Sequence, residues 1–228
     1  MMQQTAVLSL VNYHKSSLPW GISRLVVGQY PFRNIPGLQF VKVLGSGKHG
    51  GFDLKPSFSK QGLFCVFNTF EQAQQFLENS SILRAYQDHS SEYFTVLLQA
   101  YSSKGSWSKK TIEVTQEAPL SGPIAGVTRA SIKFSKAPTF WRKAPPAQAS
   151  LEQAPGCLLA AGLGEAPYLR QATFTMWEST AAMDQYARSG AHLEAIQTAY
   201  KGQFFSESMF TRFIPINPHG VWRGRTYV

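Results

Sequence analysis

The chain has 228 residues, 43% hydrophobic and 15% charged, which is enough apolar material for a substantial core and excludes a disordered chain. Its net charge of +9 is scattered, with no run of five or six cations, which argues against a nucleic-acid stripe and leaves anionic lipid or an acidic protein partner as attractions. Two cysteines, Cys65 and Cys157, make neither a disulfide framework nor a zinc site, and each reads as a core residue beside an apolar run.

The N-terminus "MMQQTAVLSLVNYHKSS" has no basic start, long apolar core or cleavage site of a signal peptide. No apolar run reaches the roughly 18 residues that span a bilayer, so the expectation is a cytoplasmic protein in peripheral contact with a membrane. The run 7–13 predicts a first strand, 18–30 a helical region, and a second strand follows. Residues 63–87 then read as a strand, a hydroxyl cap and a helix, with Thr69 and Gln72 spaced as a capping box, and a last strand follows.

The same order returns further along. At an offset of 110, residues 173–197 repeat 63–87, pairing Phe67 with Trp177, Thr69 with Ser179, Phe76 with Tyr186 and Leu83 with Leu193. The flanks repeat too, "GSW" (105–107) against "GVW" (220–222), while the first strand and helix recur at 127–134 and 137–152. The prediction is therefore α+β: tandem ferredoxin-like βαββαβ halves forming a pseudo-dimeric α/β barrel. The N-terminal half covers 1–115, the Pro- and Gly-rich linker 116–126, and the C-terminal half 127–228, with the division near Gly122.

Familiar motifs fail on context. "GSGKHG" (45–50) has dinucleotide-loop spacing, but Pro56 and a new strand follow it where a helix is required, and His49 stands where a Walker loop needs Ser or Thr. No nucleophile elbow is present, and none of the five histidines makes an H-x-x-x-H pair. His14, His49, His89 and His219 read as surface residues or are uninformative. His192 stands out because helical spacing places it with Ile196 and Ala199, and its repeat partner is the apolar Ile82. A hydrogen-bonded structural residue and a ligand are both open for it.

Several runs, in order, resemble the spheroidene monooxygenase family: "IPGLQFVKVLGSG" (35–47) with "GF" (51–52), "GPIAGVTRASIK" (122–133) with "FWRKAPP" (140–146), "GLGEAPYLRQATFTMW" (162–177), "GAHLEAI" (190–196), and "FFSESMFTRF" (204–213) ending in "GVW". They cover nearly the whole chain. The resemblance implies a monooxygenase that introduces hydroxyl and keto groups into acyclic carotenoids, using a b-type haem, dioxygen and a reduced ferredoxin-type electron donor. No P450-like cysteine signature is present, so the resemblance implies a histidine as axial iron ligand, and His192 is the candidate. Arg129 and Arg170, each in a family-like run, are candidates for a haem propionate or the distal side, against an ordinary salt bridge for either. The stretch "KHGGFDLKPS" is more polar than the family pattern, which leaves the exact substrate open. Two other readings stay alongside: a haem protein of the same barrel type with different chemistry, and a non-enzymatic carrier of an apolar ligand.

Overall fold

The computed structural model describes residues 3–48, 55–166 and 168–228, without the side chains of 143–149, 152, 191, 192 and 200. His49 lies outside the described residues. The first half runs β1 (Thr5–Tyr13), α1 (Leu18–Val27), β2 (Leu38–Gly47), β3 (Pro56–Phe67), α2 (Phe70–Asn79), α3 (Ser81–Asp88) and β4 (Ser90–Gly105). The second runs β5 (Ile124–Ile132), α4 (Ala137–Glu152), β6 (Cys157–Ala166), β7 (Arg170–Trp177), α5 (Thr180–Ala187), α6 (Gly190–Lys201) and β8 (Phe205–Trp222), closed by the short β9 (Arg225–Tyr227).

Thr5, Leu18 and Leu38 open elements that recur 119 residues later at Ile124, Ala137 and Cys157, whereas Phe67 and Trp177 end matching strands at an offset of 110. The difference of nine divides between a β2–β3 connection five residues longer than its β6–β7 counterpart and a β3 four residues longer than β7. The caps match as well. The Thr69 hydroxyl accepts the Gln72 amide and the Ser179 hydroxyl accepts the Ala182 amide, both at 3.2 Å. One helix per copy was expected here, but each splits in two. Ser80 adopts an extended conformation and caps α3 through the Leu83 amide, and in the second half Gly190 takes a left-handed φ of 55° at the same break. β5 also starts earlier than expected, inside 116–126, because Ile124 and Ala125 pair with Trp177 and Met176.

Within each half the strands lie in the order β4-β1-β3-β2 and β8-β5-β7-β6, the ferredoxin-like arrangement. Two antiparallel seams join the sheets into a closed eight-stranded barrel, a long one of β4 with β8 from Phe94 to Gly105 and a short one of β2 with β6 at Gly45–Gly164 and Ser46–Leu163. The β4–β8 seam displays the pseudo-twofold directly. Gly105 pairs with Met209 and Phe94 with Gly220, and an offset of 115 exchanges the two pairs. Both glycines are required. They have φ of 82° and 108°, and a Cβ on either would stand 2.0 or 2.1 Å from the carbonyl oxygen of Ser208 or Tyr93.

Alternate residues of all eight strands fill the lumen, among them Leu8, Phe64, Phe94, Phe174 and Phe213, together with Trp107 and Trp222. Residues of opposite parity face outward. In the first half Val7, Val11, Leu63, Cys65 and Phe67 meet Phe76, Leu83 and Tyr86 of α2 and α3, and burial pushes the Cys65 thiol pKa up. In the second half the corresponding buried cluster is small: Ile124, Leu151, Ala160, Trp177 and Met183.

Candidate active-site cleft

The outer face of the first half is closed by rings. Trp20 stacks on His89 at 4.1 Å between centroids and meets Tyr86 edge-on at 5.1 Å and Tyr13 at 5.8 Å. Three polar side chains of this cluster are paired. The Tyr13 hydroxyl donates to Gln61 Oε1 at 2.8 Å, the Gln61 amide donates to the Gly21 carbonyl at 2.6 Å, and His89 Nδ1 lies 2.8 Å from the Ala85 carbonyl oxygen. His89 is thus a packing residue rather than a solvated one.

At the repeat-related positions of the second half stand Ile132, Thr139, Ile196 and Ala199, none of them aromatic. The sheet beneath changes in the same direction. Val7, Val11, Val43, Leu63 and Cys65 give way to Gly126, Ala130, Gly162, Thr173 and Thr175. Gly162, Thr173 and Thr128 lie side by side on three adjacent strands, with Phe210 next in the row. Ser9 is fully buried, while its counterpart Thr128 is exposed in the middle of a strand. The helices differ too: α3 packs on β4, whereas α6 packs along α4. The outer face of the second sheet beneath the α4–α6 pair is therefore built of Gly, Ala and Thr with Phe210 in the same row, and we take this small-residue face as the candidate cleft. Its edge carries an ordered ion pair, Arg212 Nη2 to Asp184 Oδ1 at 2.6 Å.

His192 is the third residue of α6, in the helix layer above this floor, and its imidazole lies outside the described residues. The structure does not bring Arg129 and Arg170 to the outer side of the sheet on which α6 lies. Arg129 shares the inward parity of Ala125 and Val127, and its side chain is 3% exposed at one mouth of the barrel. There its Nη1 donates to Glu207 at 2.5 Å and its Nη2 to Glu165 at 3.2 Å, which commits the guanidinium to two carboxylates of the chain itself. Arg170 opens β7 on the parity of Ala172 and Phe174, exposed at that same mouth.

Glu165 also accepts from Lys42 Nζ at 2.5 Å and from Trp107 Nε1 at 3.0 Å, so one carboxylate ties both halves together. Burial alone would raise the Glu165 carboxyl, but the Lys42 and Trp107 hydrogen bonds and the two cations hold it below its usual range. Burial would likewise raise Glu207. Hydrogen bonds from the Lys109 amide, the Ser106 hydroxyl and the Ser108 amide, with the Arg129 charge, bring it down to about 2. Neither the cleft floor nor this cluster was read from the sequence. The floor was nonetheless detectable, because aligning the copies position by position sets glycine and threonine against valine and leucine. Among the described residues no group of three His, Cys, Asp or Glu side chains is placed to hold a metal ion, and no helix is long and apolar enough to cross a membrane.

No protein-family profile matches the chain. A spheroidene monooxygenase from Rubrivivax gelatinosus is 48% identical over 97% of this chain and 86% of its own length. Another from Rhodobacter capsulatus is 31% identical over 96% and 93%. Among solved structures, an anthrone oxidase-like protein aligns with 99% of this chain and 97% of its own at 11% identity and a TM-score of 0.34, too loose a superposition to bear on the chemistry.

Proposed function

The chain belongs to the spheroidene monooxygenase family, and we propose that it oxygenates an acyclic carotenoid in the second-half cleft, with a b-type haem as cofactor, His192 as axial ligand and a reduced ferredoxin-type protein as electron donor. The observation supporting this reading is that four ring positions of the first half are non-aromatic in the second, over a floor of glycine, alanine and threonine, the substitution pattern that a flat ring system would need. Haem bound there would supply the activation of dioxygen, which no side chain of the chain offers alone.

The chain's own groups have simpler tasks. An imidazole on α6 is a suitable iron ligand, and the Thr128, Thr173 and Thr175 hydroxyls offer hydrogen-bond donors on a floor otherwise of glycine and alanine. Phe210, next to Thr128 in the same row, adds an apolar side chain suited to a polyene. The inward parity of Arg129 and Arg170 sets them on the far side of the sheet from this cleft, so the reading rests on His192. A carotenoid is too long for enclosure by a domain this size, so part of it stays in lipid, and peripheral membrane contact belongs to the proposal. The net charge of +9 favours both an anionic surface and an acidic donor.

Titration of the purified protein with haem, followed by absorption, tests the reading. A stoichiometric Soret band is expected, lost in His192→Ala without loss of the fold, and the loaded protein with a ferredoxin reducing system should convert an acyclic carotenoid to hydroxylated and keto products. An unchanged spectrum in His192→Ala counts against the ligand. Tight pigment binding without haem replaces the enzyme by a carrier.

A further inference from the structure

Helix α1 turns Trp20 and the buried Gly21 toward the first-half cluster. On the other stripe Leu18 tucks against that cluster, and Ile22, Leu25 and Val26, one turn and two turns on, are partly to largely exposed, as are Val27 and Tyr30 just beyond, with Val26 84% and Tyr30 64% accessible. Single exposed apolar residues are ordinary, but five within nine positions form a patch that calls for an occupant.

Charge identifies that occupant. Not one Asp or Glu precedes Asp53, while Lys15, Arg24, Arg33, Lys42 and Lys48 all do. The Arg33 guanidinium lies 4.7 Å over the exposed Tyr30 ring at the end of the patch, and the Arg24 guanidinium 4.8 Å over the Trp20 ring on the neighbouring side of the same helix. Apolar side chains at the centre, with tyrosine and arginine at the rim, make up the composition of a segment lying at a lipid interface. A second copy of the chain suits the patch badly, since a twofold contact would bring Arg24 and Arg33 of both copies together, and the first 52 residues carry no carboxylate to offset them.

We infer that the exposed face of α1 and the turn through Tyr30 form a docking surface for an anionic lipid bilayer. Its position adds a consequence that rests on the proposed function. Leu25 Cδ1 lies 3.9 Å from where a Cβ would stand on Gly45, and Gly45 pairs across the seam with Gly164, an edge residue of the cleft floor. The docked face therefore adjoins the cleft, and a polyene leaving the bilayer reaches it without crossing bulk water.

Vesicle flotation, run without haem or carotenoid, tests the docking surface. The protein is expected to float with phosphatidylcholine vesicles containing phosphatidylglycerol, and less with phosphatidylcholine alone. Val26→Glu should lower that partition at least about tenfold, because it places a charge where apolar surface would enter the interface. Arg24→Gln with Arg33→Gln should erase the preference for the anionic vesicles. Leu120→Glu, at an exposed position outside the patch, should change nothing. Val26 is so exposed that the variant should keep its circular dichroism and melting temperature. Equal flotation of Val26→Glu and the parent overturns the inference, as does sedimentation showing that the parent is a dimer which Val26→Glu converts to monomer. Failure here leaves the haem titration untouched, and the reverse holds too.

Discussion

Val11, Leu63 and Tyr86 lie buried together beneath the helices of the first half. Their counterparts Ala130, Thr173 and Ile196 are partly open to solvent in the second. Strand order, capping hydroxyls and seam glycines are the same on both sides of the pseudo-twofold, so the backbone plan does not cause the difference. Side-chain volume does. A duplicated unit can keep one copy packed to carry stability while the other gives up packing for room to bind, and binding sites are drawn from the less stable part of a fold.

Copying the first half into the second is the most severe way to break this comparison. Gly162→Val with Thr173→Leu restores the residues found at Val43 and Leu63 and should fill the cleft floor. Haem affinity is expected to fall by at least about a hundredfold, with the melting temperature unchanged or raised. Retained haem in the filled variant would place the cofactor elsewhere.

Truncation at matched positions sharpens the comparison in energy. Leu63→Ala removes a fully buried side chain from the first-half cluster and should cost about 2–5 kcal/mol in urea unfolding. Thr173→Ala, at the same place in the second half, should cost less than about 1 kcal/mol. Equal costs would mean that the second-half floor is packed as tightly as the first.

Much of this plan was legible in the sequence, for physical reasons. The offset of 110 survives because strand, cap and helix each impose a residue type at a fixed spacing, so Thr69 and Ser179 still announce their helices. The breaks at Ser80 and Gly190 were not legible, since the apolar period continues through them. Closure of the barrel was expected only from the fold analogy, because the seams join residues as distant as Phe94 and Gly220. The cleft escaped notice because glycine and threonine carry no signal alone, only against valine and leucine in the other copy. Arg129 gave no sign of its commitment, as its carboxylate partners lie 36 and 78 residues away in sequence.

The two mouths of the barrel supply the last and smallest contrast. At one, Trp107 Nε1 donates to Glu165 amid Lys42, Arg129 and Glu207. At the other, Ala161, Leu10 and Ser46 replace Lys42, Arg129 and Glu165, and Trp222 Nε1 has no hydrogen-bond partner among the described residues. Glu92 matches Glu207 and holds the Gly224 amide at 2.7 Å, as Glu207 holds that of Lys109 at 2.8 Å, but only Glu207 has a buried arginine beside it. Because the Glu207 carboxyl is held at about 2, below its ordinary 4.5, it binds fewer protons folded than unfolded in between. Its contribution to stability is therefore complete above about 4.5 and is lost as the pH falls toward 2. Glu207→Gln should lower the melting temperature by roughly a few degrees at neutral pH. The gap from the parent should then narrow through that acid window, as thermal melts at stepped pH would read. A gap that stays constant down to the lower end would mean that the carboxylate charge contributes nothing at this mouth, and that Glu207 serves only as a hydrogen-bond acceptor for its loop.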